Sequence, residues 1–431
     1  MHPAKVAPFD GLRVERASAA FDQKDCVKRV TSATSHGHPS APVVVTPERL
    51  PLRKTAAKPP GTAALDTSGG KFFDMDNPTR AARLRPTRAR GYAPSDSSAM
   101  QYRRSDFDVT NTVQVSSTDA VRRAVCELFR QNWPQYPFDR VESAFSDFER
   151  LFNGQFPGYY GCDTVYHDLQ HSLDATLAVA RLIVSYDRTH LADERLGPER
   201  AIVGVVTALF HDAGYIRQTD DQTHRNGAEF TLSHVSRSAH FIGRYLPTIG
   251  MAEWVPVATK IVHFTGYEVQ FDQIRLDDHR DRKLGHLIGT GDLIAQMADR
   301  CYLEKCRDRL YPEFVLGGIA MPSDGLGKTQ VRYNSGLDVL RHTPDFVDDV
   351  RRTRLDGEFG AAYRYLESLF NGRNPYMDAI QRNLDYLGEV LRTGRWPMLR
   401  RDPPCFTWER NPVQNIRSLV IGHLKQVWKS G

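Results

Sequence analysis

A chain of 431 residues with 40% hydrophobic and 10% aromatic content can bury a sizeable core, and its length allows two or three average domains or one helical domain with a long tail. No apolar stretch reaches the length of a membrane span, acidic Asp10, Glu15, Asp22 and Asp25 break up what would be a secretory core, and the six cysteines contain no CxxC pair. These features argue against membrane-spanning, secreted and disulfide-stapled classes and lead us to expect a cytoplasmic protein with reduced thiols.

The net charge of +5 is unevenly placed. Residues 1–115 hold 18 Lys and Arg against 11 Asp and Glu, leaving 39 against 41 for the remainder. Pro59-Pro60-Gly61, Ser68-Gly69-Gly70 and the arginine-rich run from Arg80 to Arg90 show no sustained periodicity, so this part is expected to be a basic, largely disordered tail. Arginine runs can touch nucleic acid, but acidic residues interrupt this one and aromatics are sparse, which favours a solvated linker.

From residue 116 the spacing becomes helical, and residues 116–400 are predicted to be an all-α catalytic domain. Thr118 is placed to cap a helix whose Val121, Val125, Leu128 and Phe129 share a face. Phe138, Val141, Phe145, Phe148 and Phe152 form a second stripe that stops at Asn153-Gly154. His167 and His171, if helical, stand one turn apart on one face. Ala201 to Phe210 is apolar all round, as in a buried helix, and delivers His211-Asp212 at its end. Asp292 lies in Gly289-Thr290-Gly291-Asp292-Leu293-Ile294, where an ionised carboxylate is costly unless paired or metal-bound. Gly317 to Gly336 reads as an irregular stretch, either a lid or a surface excursion. Phe359, Tyr363, Leu366 and Phe370 predict a further helix ending at Asn371-Gly372, Ile380, Leu384, Leu387 and Leu391 another, and residues 401–431 a C-terminal extension.

Ten of the fifteen histidines fall between His167 and His286. Imidazole and carboxylate together suit borderline divalent ions such as zinc, manganese or iron. The ordered set Tyr166-His167-Asp168-Leu169-Gln170-His171, His211-Asp212 and Asp292 resembles the HD-domain metallophosphohydrolase superfamily, and its YHxxxH opening is similar to class I cyclic-nucleotide phosphodiesterases. The similarity covers roughly residues 120–390.

The resemblance implies an HD/phosphodiesterase-like helical bundle. In it His171, His211, Asp212 and Asp292 ligate one or two divalent ions (zinc, manganese, iron or magnesium), Asp212 bridges them, and His167 is the general acid. It would also want histidine where this chain has Tyr215, a gap that His234 and His263 could fill as additional ligands; each could equally be structural. Gln330 is the candidate for the substrate-clamping glutamine. The implied function is hydrolysis of a cyclic nucleotide or related phosphodiester by metal-activated hydroxide, with His167 protonating the leaving alkoxide. A nucleotide monophosphatase or alarmone hydrolase and a non-catalytic HD ligand sensor are the alternatives. The expected partner is a small nucleotide or phosphodiester substrate.

Overall fold

The computed structural model describes residues 103–322 and 331–430, the last five by backbone alone. Most of the expected tail, and Gln330, lie outside them. The described residues are helical, without a β-sheet; their extended pairings are two isolated bridges, Phe107 with Gln114 and Tyr159 with Gln218. The all-α expectation is therefore met. None of the helices among the described residues is long and apolar enough to cross a membrane.

Among the described residues twelve α-helices follow in order: α1 Thr118–Asn132, α2 Asp139–Phe152, α3 Leu169–Thr189, α4 Gly197–Leu209, α5 His234–Tyr245, α6 Val255–Ile261, α7 His279–Ala298, α8 Tyr302–Lys305, α9 Tyr311–Leu316, α10 Gly336–Val350, α11 Pro375–Thr393 and α12 Pro412–Ser430. Helix α3 is the axis of the fold. Its residues from Leu169 to Asp187 are all buried, and it packs against α1, α4 and α7. Burial on every side explains why α3 shows no clean amphipathic stripe, unlike α1 and α2, which bury one face each. Gly291 lets α7 approach α3: a Cβ there would lie 2.4 Å from Val179 Cγ2 and 3.0 Å from Val179 N.

Several predicted boundaries shift for physical reasons. Ser117, not Thr118, caps α1, its hydroxyl accepting from Ala120 N at 3.3 Å. The packed body begins ahead of residue 116, because Asp108, Val109 and Val115 are buried and Arg103 donates to Ala298 O at 2.7 Å. The stripe from Phe359 to Phe370 is not an α-helix. Gly360 and Ala361 take left-handed backbone angles (φ 61° and 54°) that break the chain, and the following turn, Ala362–Ser368, is a 3-10 helix whose spacing of three still buries Tyr363 and Leu366. Wider π turns occur at Cys306–Leu310 and Arg351–Glu358.

The C-terminal extension is part of the same body. Arg309 donates to Pro403 O, Leu169 N to Phe406 O at 3.1 Å, Phe406 N to Asp168 Oδ2 at 3.0 Å, and Trp408 N to Cys162 O at 2.9 Å. Phe406 O thereby meets one of the N–H groups, that of Leu169, which the first turn of α3 would otherwise leave without a partner.

Candidate metal centre

Two helix ends and one helix middle converge on a buried point. His171 stands in the first turn of α3, whose N-cap Asp168 accepts from His171 N at 3.2 Å. His167 lies ahead of that cap, outside the helix, so the expected one-turn pairing of the two histidines is replaced by an edge-to-face contact with ring centroids 5.6 Å apart. Helix α4 is apolar because it is enclosed; it ends at Leu209, with Phe210 as its C-cap, and the chain turns at once to present His211 and Asp212. Asp292 comes from the interior of α7.

The distances are those of shared ligands. His171 Nε2 lies 3.2 Å from Asp212 Oδ2 and 3.3 Å from Asp292 Oδ1, while His211 Nε2 lies 3.2 Å and 3.5 Å from the same two oxygens. Each nitrogen faces both carboxylates, a pattern that single N–H···O bonds cannot satisfy. His211 Nε2, Asp212 Oδ2 and Asp292 Oδ1 are buried and have no hydrogen-bond partner. His211 Nδ1 lies 2.7 Å from Ala208 O, and as donor there it leaves the Nε2 lone pair facing the centre. His171, His211 and Asp212 offer ligand atoms all within 4.8 Å of one another, and Asp292 joins them through its contacts to both imidazoles. This donor set fits a divalent transition ion: orphaned buried carboxylates are costly in apolar surroundings and are satisfied by a cation.

The electrostatics agree. Burial opposes charge on His171 and His211, yet the facing Asp212 and Asp292 outweigh it, holding His171 at about 9 and His211 well above the usual histidine value. Burial would likewise raise the two aspartates, but the imidazoles keep both below the ordinary carboxylate range. The centre is thus built to hold positive charge.

A second group of residues lines the approach. His167, Tyr215 and His234 stack, with centroids 4.5 Å and 4.4 Å apart and ring planes within 19° and 18°. Tyr215 therefore fills with an aromatic wedge the position where the resembled pattern has histidine. His234 Nδ1 lies 2.7 Å from Thr231 O, and its Nε2 faces Asp212 Oδ1 at 3.9 Å, the oxygen turned away from His171. Gly214 makes this approach feasible, since a Cβ there would lie 1.8 Å from His234 O. His263 does not come within ion-pair distance of Asp212 or Asp292; its Nδ1 is buried without a partner, burial depresses its basicity, and the charge it feels is that of Glu268.

Two carboxylates escaped the sequence reasoning. Glu313 of α9, fully buried, lies 2.6 Å from His167 Nδ1 through Oε2, while its Oε1 accepts from Val165 N and Tyr166 N at 2.6 Å each. Glu268 accepts from Val235 N at 2.7 Å and from Ser236 N at 2.9 Å, holding the start of α5, and stands 3.9 Å from His234 Nδ1. Glu313 follows the π turn at Cys306–Leu310, whose extra residue per turn cannot be read from hydrophobic spacing. Asp168, directly before an apolar helix, did carry a readable signal as an N-cap. Comparison with family models, curated proteins and solved structures gives no match for the chain.

Proposed function

We propose that the protein is a metal-dependent phosphohydrolase acting on a phosphodiester, a cyclic nucleotide or a related compound, with His167 as the general acid. The observation that carries this is the pairing of an ion-ready cluster with a separately oriented histidine: His171, His211, Asp212 and Asp292 leave buried ligand atoms unsatisfied, while His167 is held by Glu313 and not by the cluster. A divalent ion bound there would supply Lewis acidity to a phosphoryl oxygen and lower the pKa of water.

The chain's own residues then divide the remaining work. Glu313 Oε2 accepts a hydrogen bond from His167 Nδ1–H, which fixes the ring and leaves Nε2 as the atom that passes a proton to the departing alkoxide. The two backbone N–H groups on Glu313 hold its charge in place, so it stabilises imidazolium without taking the proton. Tyr215, stacked between His167 and His234, limits ring rotation and excludes water from one side. Asp212 presents one oxygen to His171 and His211 and the other to His234, the disposition of a carboxylate that could serve two ions.

Metal analysis of purified protein combined with a panel of cyclic nucleotides, linear diesters, nucleotide monophosphates and pyrophosphorylated nucleotides tests the proposal. One or two transition ions per chain and turnover confined to phosphate esters are expected. A metal-free, fully folded preparation that resists loading with zinc, manganese or iron would refute it.

A further inference from the structure

We propose that a small polar slot between α3 and α7, next to the metal centre, reads a hydroxyl group of the substrate, so that an ester whose alcohol part carries a free hydroxyl is preferred over its deoxy counterpart. The inference rests on the phosphohydrolase reading above. Tyr166, Gln170, His171, Asp174, Gln296 and Lys305 line the slot, which therefore shares His171 with the metal centre. Its walls continue the same two helices. Asp174 follows His171 by three residues on α3, and Gln296 follows Asp292 by four on α7, so each stands about one turn beyond a ligand of the centre. The Tyr166 hydroxyl donates to Gln296 Oε1 at 3.2 Å; burial keeps it neutral, and Asp292 is among the charges it feels. The free space is about 10 Å³, room for one water-sized group and far too little for a base or a phosphate.

The polar groups of the slot specify what fits. Lys305 Nζ is committed to Asp299 Oδ2 at 2.5 Å and lies 3.4 Å from Gln170 Oε1, and Gln296 Oε1 is taken by Tyr166. Two groups remain open: the Asp174 carboxyl, 8% exposed with its Oδ1 buried and unpartnered, and the amide N–H of Gln296. Asp174 and Asp299 repel an anion there, and the Lys305 ammonium repels a further cation, so the group that suits the slot is neutral. A hydroxyl donates to Asp174 and accepts from Gln296 at once, whereas a methylene leaves both without a partner. A site built to hydrogen-bond a hydroxyl rejects the analogue lacking it far more strongly than an apolar pocket rejects an extra methylene.

The test is calorimetric and needs no turnover. Full-length protein loaded with manganese is titrated with dihydroxybutylphosphonate, butylphosphonate and methylphosphonate, whose C–P bonds resist hydrolysis, in wild type and in Asp174→Leu, which keeps the approximate shape without polar atoms. Wild type should bind the dihydroxy probe about tenfold more tightly than butylphosphonate, the scale of one hydrogen bond to a charged group. Asp174→Leu should bring the two probes within about twofold of each other, with metal content and methylphosphonate affinity as in wild type. Should that variant not fold, Gln296→Leu should show the same loss of preference. Equal affinities for the two butyl probes in wild type overturn the proposal and leave the slot to a water molecule, and a preference that survives in folded Asp174→Leu overturns it too. Metal-loaded protein that binds none of the three phosphonates and cleaves no phosphate ester sinks the phosphohydrolase reading and the proposal with it. Ester turnover without a hydroxyl preference sinks the slot alone.

Discussion

Helix α3 carries two buried charge clusters that have been finished in opposite ways. At Arg181, every strong group is answered within the protein: Nη2 donates to Asp108 Oδ2 at 2.7 Å and Nη1 to the Tyr376 hydroxyl at 2.8 Å, while Asp108 also accepts from Thr110, Thr112 and Val113. At His171, ten residues earlier, carboxylate and imidazole atoms meet without donors to spare, and Asp212 Oδ2 and Asp292 Oδ1 are left over. Both clusters are deeply buried, so burial alone does not distinguish structure from function. Saturation does: a closed network holds the fold together, and an open one of imidazoles and carboxylates could hold a cation.

Breaking the open cluster should have the largest effect. Asp212→Ala removes the residue that faces His171, His211 and His234. Bound metal should disappear, and activity should fall by more than a thousandfold, on the scale seen when a catalytic unit is dismantled. The fold should survive, because the variant also relieves a buried unsatisfied carboxylate. Elemental analysis, circular dichroism and turnover read the three quantities, and an active, fully metal-loaded variant would end the assignment.

The closed cluster should respond in the reverse sense. Asp108→Ala strands the Arg181 guanidinium in the core, a loss worth about 3–5 kcal/mol for a buried pair broken on one side. Metal content per folded chain should stay at the wild-type level. The same contrast predicts that truncation to residue 116, which removes Asp108, Val109 and Val115, unfolds the protein. A denaturant midpoint that does not move would show that the network contributes little.

His167 sits between these extremes, neither ligand nor scaffold. In His167→Ala, metal content should stay near wild type while turnover of a phosphodiester with a poor alkoxide leaving group drops about a hundredfold, the usual scale for general acid catalysis. An aryl ester, whose leaving group needs no proton, should lose far less. Glu313→Gln should show the same pattern more weakly, because it disturbs the ring's orientation and not its chemistry. Equal losses on both esters would remove His167 from this role.

What the sequence disclosed follows the same division. His171, His211, Asp212 and Asp292 were legible because histidines and aspartates placed beside apolar runs have few purposes in a core. The helices that bury one face, α1, α2 and α11, were legible from their spacing. Glu313 and Glu268 were not, since single charged residues in unremarkable segments gain their meaning only from the elements they reach, and Glu313 follows a π turn that shifts the register. The packing of residues 403–408 against α3 rests largely on main-chain hydrogen bonds, which leave no mark on side-chain pattern. The helix foreseen from Phe359 to Phe370 was lost to a backbone break at Gly360 and Ala361, although Phe359, Tyr363 and Leu366 are buried as the pattern required.

Asp174 offers the finest test of saturation, because it lies on α3 between the two clusters and belongs to neither. It is buried, its Oδ1 has no partner, and it borders a small cavity also lined by Gln170, His171, Gln296 and Lys305. Burial, followed by the charges of Asp299 and Asp108, pushes its carboxyl up to about 7 from 3.8. A folded-state value above the unfolded one means that the native protein holds the proton more tightly. The associated stability is full below about pH 4 and is lost as the pH rises through about 7. Asp174→Asn mimics the protonated form at every pH. The variant should therefore match wild type near pH 4 and exceed it at pH 8 by on the order of 2 kcal/mol. Chemical denaturation of both proteins across that range reads the difference directly. A stability difference that is the same at pH 4.5 and pH 8 would mean that Asp174 is ionised throughout, with a partner in solution that the fold does not supply.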